Sequence, residues 1–481
     1  MSTPISIDPE QVFYLSPQGD DSEDGSRLSP WRSWDRALEQ DRLQHIILLK
    51  GSYPPAAIRP HQALRISSEE LVTGDLEISG NSIELYDFQL KGHLKISQSE
   101  SVGIKNATIE CQENDCVSLQ ESRLFGTNMT IRGGKKVVRN LLIESSTVSL
   151  TKVQITSGGN YAQILGRKKS IIRLNDVHLR RSLGIGISCS SGSRLVLQNA
   201  RITGARKYNL LASEAEMEVK TSTLGSTQNL GIGLQGAKMR VVNTTMQPSP
   251  FGVISLISKG EIRSSVLIAE SLIHHGTHYG IMVAGGEAVI RNSSFKGSVN
   301  TQKIGDDSIL VTGAYSSITL TDTRVLDSAG FGIALYEGAF GRISGEISRP
   351  RLGGILVHSK TSEQVVIKNT SIQNAKLGPG IVALAGNTTE IEEVEVRNCH
   401  GGGVLVGQEA VARIEKSKFH QNKGYDLSAY GQAHVTAIDL QLRDVENLSF
   451  ASCAENAQIE FVSTQEAVAA KGHHGTRWFC P

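Results

Sequence analysis

Short runs of alternating apolar and polar residues recur along most of the chain and predict a succession of brief strands. One marker is Gly-apolar-x-apolar, as in Gly184-Ile185-x-Ile187, Gly231-Ile232-x-Leu234, Gly280-Ile281-x-Val283, Gly332-Ile333-x-Leu335, Gly354-Ile355-x-Val357 and Gly403-Val404-x-Val406. A second marker is a polar residue three positions before an apolar one. It falls at Asp87, Asn106, Asn128, Lys152, Asp176, Asn199, Thr221, Asn243, Glu270, Asn292, Asp322, Ser344, Asn369, Glu393, Lys416 and Asp439. The mean step between these sixteen positions is about 23.5 residues, and ten of them are Asn or Asp. Between the markers lies a further strand, such as Arg194-Leu195-Val196-Leu197 or Gln364-Val365-Val366-Ile367.

A unit of two or three short strands cannot bury its own apolar face, whereas stacked units can. Asn and Asp tolerate left-handed backbone, so a turn is predicted at the second marker, with side-chain amides forming a ladder from coil to coil. Seven Asn-x-Ser/Thr sequences occur, at Asn106, Asn128, Asn243, Asn292, Asn369, Asn387 and Asn447. The first five fall on ladder positions and are expected to be buried turns rather than glycan sites.

These phrases resemble the repeats of the right-handed parallel β-helix proteins of the pectate-lyase-like superfamily, over residues 61–445. The resemblance implies an all-β fold: a single-stranded right-handed parallel β-helix, a solenoid of about 16 coils. Residues 1–60 read as an N-terminal strand and capping helix. There Phe13–Gly25 and Ser29–Leu38 resemble that superfamily's opening segment, and His45–Tyr53 its first coil. Residues 446–481 read as a C-terminal cap, because an open terminal coil is an aggregation edge.

Composition and charge sharpen this picture. The 481 residues include 48 Gly but only 24 aromatics, which suits tight turns and short strands. The 49 Lys+Arg against 48 Asp+Glu leave +1, which argues against a nucleic-acid partner bound through bulk charge. No apolar run is long enough to span a bilayer as a helix. The N-terminal residues carry no secretion signal, so the expectation is a secreted or cell-envelope protein whose signal is absent from this chain, with a cytoplasmic protein as the alternative. Cys111 and Cys116 are close enough in sequence for a disulfide across a turn, and Cys453 could pair with Cys480; free structural thiols are the alternative. Cys189 continues an apolar alternation and reads as a buried side chain.

Functional chemistry must come from residues on the outside of the coils. Strict alternation places Gly186, Gly233, Ser255, Met282, Leu310, Ala334, Leu356, Val382, Leu405 and Ser428 outward, a stripe without a charged residue. Its apolar middle is read either as covered by a loop or as a partner contact through Met282, Leu310, Leu356, Val382 and Leu405. One rim is basic, with Arg180, Arg181, Arg206, Lys207, Arg349, Arg351, Lys376, His400, His420 and Lys423, and could track an acidic polysaccharide. Asp306-Asp307 is a weak candidate for the paired carboxylates of a glycoside hydrolase, since neighbours in extended chain face opposite ways. Asp20-x-Ser22-x-Asp24-Gly25 has the start of a calcium loop, but Trp31 stands where a bidentate Glu is needed. A polar turn is the expectation there; calcium is the one cofactor the sequence hints at. His274-His275-x-x-His278 lacks a fourth metal ligand.

The sequence therefore reads as a non-catalytic β-helix scaffold engaging a polysaccharide or a protein partner. The first alternative is a polysaccharide lyase or glycoside hydrolase acting on an acidic glycan, with Arg349, Arg351, His358 and His400 beside the Asp306-Asp307 pair. The second is a spike or tail component, which would require trimerisation along a face.

Overall fold

The computed structural model describes residues 11–442 except 61, 81, 277 and 298–305, residues 451–454 and 456–462, and the backbone of Arg477–Phe479. The fold is an all-β parallel solenoid of about 17 turns. It divides into two compact units, Met1–Gln228 and Asn229–Pro481.

In unit 1, Val12–Leu15 pairs in parallel with His45–Leu48, and that strand with Leu64–Ser68. The expected helix is a single short one, Trp34–Leu38, capped by the Ser33 hydroxyl, which accepts from Arg36 N–H at 3.2 Å. Later coils stack in register, for example Val102↔Leu124, Arg123↔Thr147 and Thr147↔Ile171. The longest strands, Val102–Gln120 and Arg123–Glu144, run through their corners with a bend. In unit 2 one inward column is Ile232, Ile254, Ile281, Ile309, Ile333, Ile355, Ile381, Val404 and Leu427, each paired with the next and each 1% exposed or less. Each such side chain contributes roughly 1.5–3 kcal/mol by leaving water. Arg477–Phe479 adds an antiparallel strand onto Gln458–Glu460.

The corners explain the repeat. Fifteen of the sixteen aligned polar residues have left-handed backbone, from φ 47° at Asp87 and Asn292 to φ 56° at Asn128. Ser344 is the exception; the left-handed residue there is its neighbour Gly345, φ 139°. One left-handed residue breaks the alternation, so the residue after it turns inward: Ala107, Met129, Val153, Val177, Ala200, Val394 and Leu440 are all buried. Where that next residue is Ser, its hydroxyl serves the neighbouring coil. Thr244 N–H donates to Ser271 Oγ at 3.2 Å, and Ser271 N–H to Ser293 Oγ at 3.2 Å.

The expected burial of the turn Asn side chains is overturned. Asn106, Asn128, Asn243, Asn292 and Asn369 are exposed, because the left-handed residue sits on the outside of the bend. Their ladder runs from side chain to side chain: Asn128 Nδ2 donates to Asn106 Oδ1 and Asn106 Nδ2 to Asp87 Oδ1, both at 2.9 Å. Asn387 is buried, and Asn447 lies outside the described residues.

Cys111 and Cys116 form a disulfide with Cα atoms 5.3 Å apart, and Cys189 is a buried free thiol. The Cys453–Cys480 pairing lies outside the described residues. No helix among the described residues is long and apolar enough to cross a membrane.

A β-branched residue at a left-handed corner should be costly. Asn369→Val is expected to destabilise by about 1–2 kcal/mol, and Asn369→Gly by much less. The measurement is the urea unfolding midpoint of the two variants; equal midpoints would contradict the corner account.

Candidate ligand-binding face

Unit 2 brings the outward stripe into register. Gly233, Ser255, Met282, Leu310, Ala334, Leu356, Val382, Leu405 and Ser428 pair each with the next across consecutive coils. Its middle forms an apolar cluster of Ala334, Leu356 and Val382, covered by Leu310, Phe331, Tyr336, Leu384 and Leu405. Leu356 is 8% and Val382 5% exposed, so among the expected partner contacts only Met282, Leu310 and Leu405 keep appreciable surface. The cover comes from the aromatic residues at either end of the strand Phe331–Tyr336 and from neighbouring coils, a packing that strand alternation alone does not show.

In unit 1 the alternation misplaces one residue. Gly186 faces inward, where a Cβ would stand 2.9 Å from the Ile202 side chain. Ser188 occupies the outward position, in register with Leu165 and Leu211.

The turn before the stripe carries cations in a column. Lys376 N–H donates to Pro350 O, His400 N–H to Ala375 O and Lys423 N–H to Cys399 O, which stacks Arg351, Lys376, His400 and Lys423 on successive coils. Lys376, His400 and Lys423 are exposed, and Lys423 Nζ lies 2.8 Å from His400 Nε2. The ammonium can only donate, so that imidazole nitrogen accepts. Beside the column run Gly378, Gly401 and Gly424; a Cβ at any of them would collide with the backbone of the coil before it. These glycines let consecutive coils approach closely beside the column, next to Tyr425, 45% exposed, and Leu377, 57% exposed.

Two expected rim residues are engaged elsewhere. Arg349 forms a bidentate pair with the buried Asp327 carboxylate, at 2.7 and 3.0 Å. His420 pairs with Glu395 at 2.7 Å. Arg180, Arg181, Arg206 and Lys207 are exposed, but they belong to unit 1.

Asp306 and Asp307 point to different partners. Asp306 Oδ2 lies 3.0 Å from His278 Nδ1, whereas Asp307 Oδ1 accepts from Phe331 N–H at 2.6 Å. Burial pushes the Asp307 carboxyl up to about 6; Phe331 N–H opposes this, and the Asp306 charge adds to it. Tyr336 is pushed up to about 12 by burial and then by the Asp307 charge. His358 meets Tyr336 edge-on, ring centroids 6.0 Å apart. It closes the strand Gly353–His358, whereas Arg349 and Arg351 precede that strand's start. Six residues at about 3.3 Å each keep His358 away from the basic column, so Arg349, Arg351, His358 and His400 do not converge on one centre.

His275 is buried. Its Nε2 lies 2.8 Å from Ser308 Oγ and its Nδ1 3.0 Å from His278 O, and burial holds it down at about 4. The Asp20 and Asp24 carboxylates accept from Ser22 and Ser26 N–H at 3.0 and 2.9 Å, as in Asx turns. Among the described residues no three His, Cys, Asp or Glu side chains gather as a metal site.

Residues 254–392 match the protein-family model described as "Right handed beta helix region". No curated protein sequence matches the chain. Among solved structures, the chain is similar to the catalytic domain of a GH87 alpha-1,3-glucanase in complex with nigerose, at 12% identity and TM-score 0.27, over 84% of this chain and 67% of that one. A tailspike protein of an E. coli bacteriophage in complex with a hexasaccharide matches at 8% identity and TM-score 0.28, over 87% and 74%. The A-module of a mannuronan C-5 epimerase from Azotobacter vinelandii matches at 10% identity and TM-score 0.23, over 79% and 89%. The family match and the parallel coils agree on the fold, a right-handed parallel β-helix.

Sequence reasoning missed a polar groove of about 860 Å³ in unit 1, lined by Ser82, Ser101, Glu121, Arg123, Ser145 and Thr147. Its signal was a second left-handed column, Gln98, Glu121 and Ser145, each followed by a buried Ser.

Asp307 yields a pH-dependent prediction. Its native pKa lies above the ordinary 3.8, so the native state binds the extra proton and loses stability as pH rises through about 6. Asp307→Asn should therefore raise the unfolding free energy at pH 7.5 by about 1–3 kcal/mol. The gain should shrink towards pH 4. A gain independent of pH would refute the assignment.

Proposed function

We propose that the protein is a non-catalytic binding scaffold whose unit 2 holds an acidic polysaccharide. The observation that carries this reading is the column Arg351, Lys376, His400 and Lys423 on successive coils, in which the exposed Lys376 and Lys423 carry charge and His400 accepts from Lys423. Coils repeat at about 4.8 Å, so the Lys376 and Lys423 charges stand about 10 Å apart along one edge. A linear glycan with ionised groups along it can meet both at once, while Tyr425 and Leu377 offer apolar surface to sugar-ring faces. A protein partner on the stripe is less favoured, because Leu356 and Val382 are already covered by their own chain.

A second reading, an acid-assisted glycan-cleaving enzyme, is favoured by Asp307, a carboxyl tuned to about 6 beside Tyr336.

The test uses acidic and neutral polysaccharides and measures both retention and chain shortening. Retention of acidic polymers that weakens with salt, without shortening, is expected. Lys376→Glu with Lys423→Glu should weaken it at least about tenfold, equivalent to about 1.4 kcal/mol. Equal retention of neutral polymers, or no effect of the double variant, would overturn the binding reading. Chain shortening that Asp307→Asn abolishes would replace it with the enzyme.

A further inference from the structure

The cations of unit 1 take no part in the face proposed above. Residues 122–210 hold sixteen Lys and Arg against two acidic residues, Glu144 and Asp176, so the near-zero charge of the whole chain hides a strongly positive stretch. Part of it gathers at one corner. Asn160 N–H donates to Val137 O at 2.9 Å and Asn160 Nδ2 to Lys135 O at 2.8 Å. Leu183 N–H donates to Gly158 O at 3.0 Å, and Arg206 N–H to Ser182 O at 3.2 Å. These bonds stack the same turn of four consecutive coils. Along the stack the turns carry Lys135-Lys136, then Tyr161, then Arg180-Arg181, then Arg206-Lys207. All six cations are exposed, and Tyr161 is 48% exposed. Three coil steps place the row within about 15 Å.

The acidic side chains around this corner are engaged elsewhere or stand apart from the row. On the coil before it, Glu110 pairs with Arg132 at 2.7 Å, and Asp115 with Arg139 at 2.7 and 2.9 Å. Glu113 stands in register with Lys136. Glu144 is held by Arg167 and Lys168 at the far end of the strand Ala162–Arg167, which begins beside Tyr161. Asp176 sits at the preceding left-handed corner of its own coil. Among the described residues no carboxylate pairs with Lys135, Arg180, Arg181, Arg206 or Lys207.

We infer that this row is a second binding site, for a sulfated polysaccharide, separate from the face in unit 2. The cations come in adjacent pairs, three pairs over four coils. A glycan charged only by carboxylates brings at most a single charge per sugar, whereas sulfate esters place several on each ring and can meet both members of a pair. The guanidinium forks of Arg180, Arg181 and Arg206 each offer parallel donors to anionic oxygens. Tyr161, between the first pair and the second, presents an apolar ring face to a sugar. Tyr208 is packed against the apolar cluster of Leu142, Ala162, Leu165 and Ile185. The row therefore lacks the run of stacking platforms that successive bases of a single-stranded nucleic acid require. Like charges this close repel one another, and a polyanion laid along them relieves the repulsion.

The test titrates the full chain with labelled dextran sulfate at about 50 mM salt, with uncharged dextran, polygalacturonate and an oligothymidylate as competitors. Dextran sulfate is expected to bind, and to lose at least about tenfold in affinity by about 200 mM salt. Each competitor should displace it at least about tenfold less well than unlabelled dextran sulfate. Arg180→Gln with Arg206→Gln should weaken it about tenfold or more, and so should Lys135→Gln with Lys207→Gln at other positions of the row. Lys376→Glu with Lys423→Glu, in unit 2, should leave it within about twofold. No binding, or a loss seen only in the unit 2 variant, would overturn the second site and leave the face in unit 2 standing. Displacement by the oligothymidylate or by polygalacturonate as effective as by dextran sulfate would overturn the assignment to a sulfated chain.

Discussion

Everything in this fold depends on one backbone state, a left-handed residue at a fixed corner of each coil. An L-residue pays for that conformation, and Asn, Asp and Gly pay least. The corner reverses the inside–outside alternation once per coil, so a strand with a buried side chain at one parity is followed by one with the opposite parity. The core columns, the serine bonds between coils and the outward stripe inherit their register from it. Shifting a corner by one residue would turn a whole strand face inside out.

The corners were also what the sequence showed best. A polar residue at a step of about 23.5 picked out fifteen left-handed positions, and it failed at Ser344 only because Gly345 beside it took the role. Exposure was harder to read. Left-handed backbone says that the chain bends, not on which side of the bend the side chain lies, so the five exposed Asn of the Asn-x-Ser/Thr sequences were read as buried. Gly186 was misassigned for a related reason: two glycines, Gly184 and Gly186, compete for the same marker, and only strand pairing to Leu210 settles which one starts the inward run.

The site was legible as a list of cations and illegible as an arrangement. Sequence spacing marked Lys376, His400 and Lys423 as belonging to one rim. Only the fold shows that they stand one above another, that Arg349 is tied to a buried Asp327, and that Phe331 and Tyr336 roof the apolar stripe. These facts involve residues some 20 or more positions apart, and each depends on which coil neighbours which. Asp307 illustrates the same point: burial raises its pKa, and the Phe331 N–H that opposes the rise comes from the coil after its own.

The coil between Asn292 and Asp322 spans 30 residues against an average near 23.5, yet the left-handed corners on both sides keep their geometry. The strands flanking this stretch, Ser294–Lys296 and Ile309–Thr312, keep their ordinary register with the neighbouring coils. A coil can therefore change length between them without disturbing the core columns. A protein of this design can acquire new recognition by insertion there, one coil at a time, while its remaining corners preserve the stack. Variation in length among related chains should collect there.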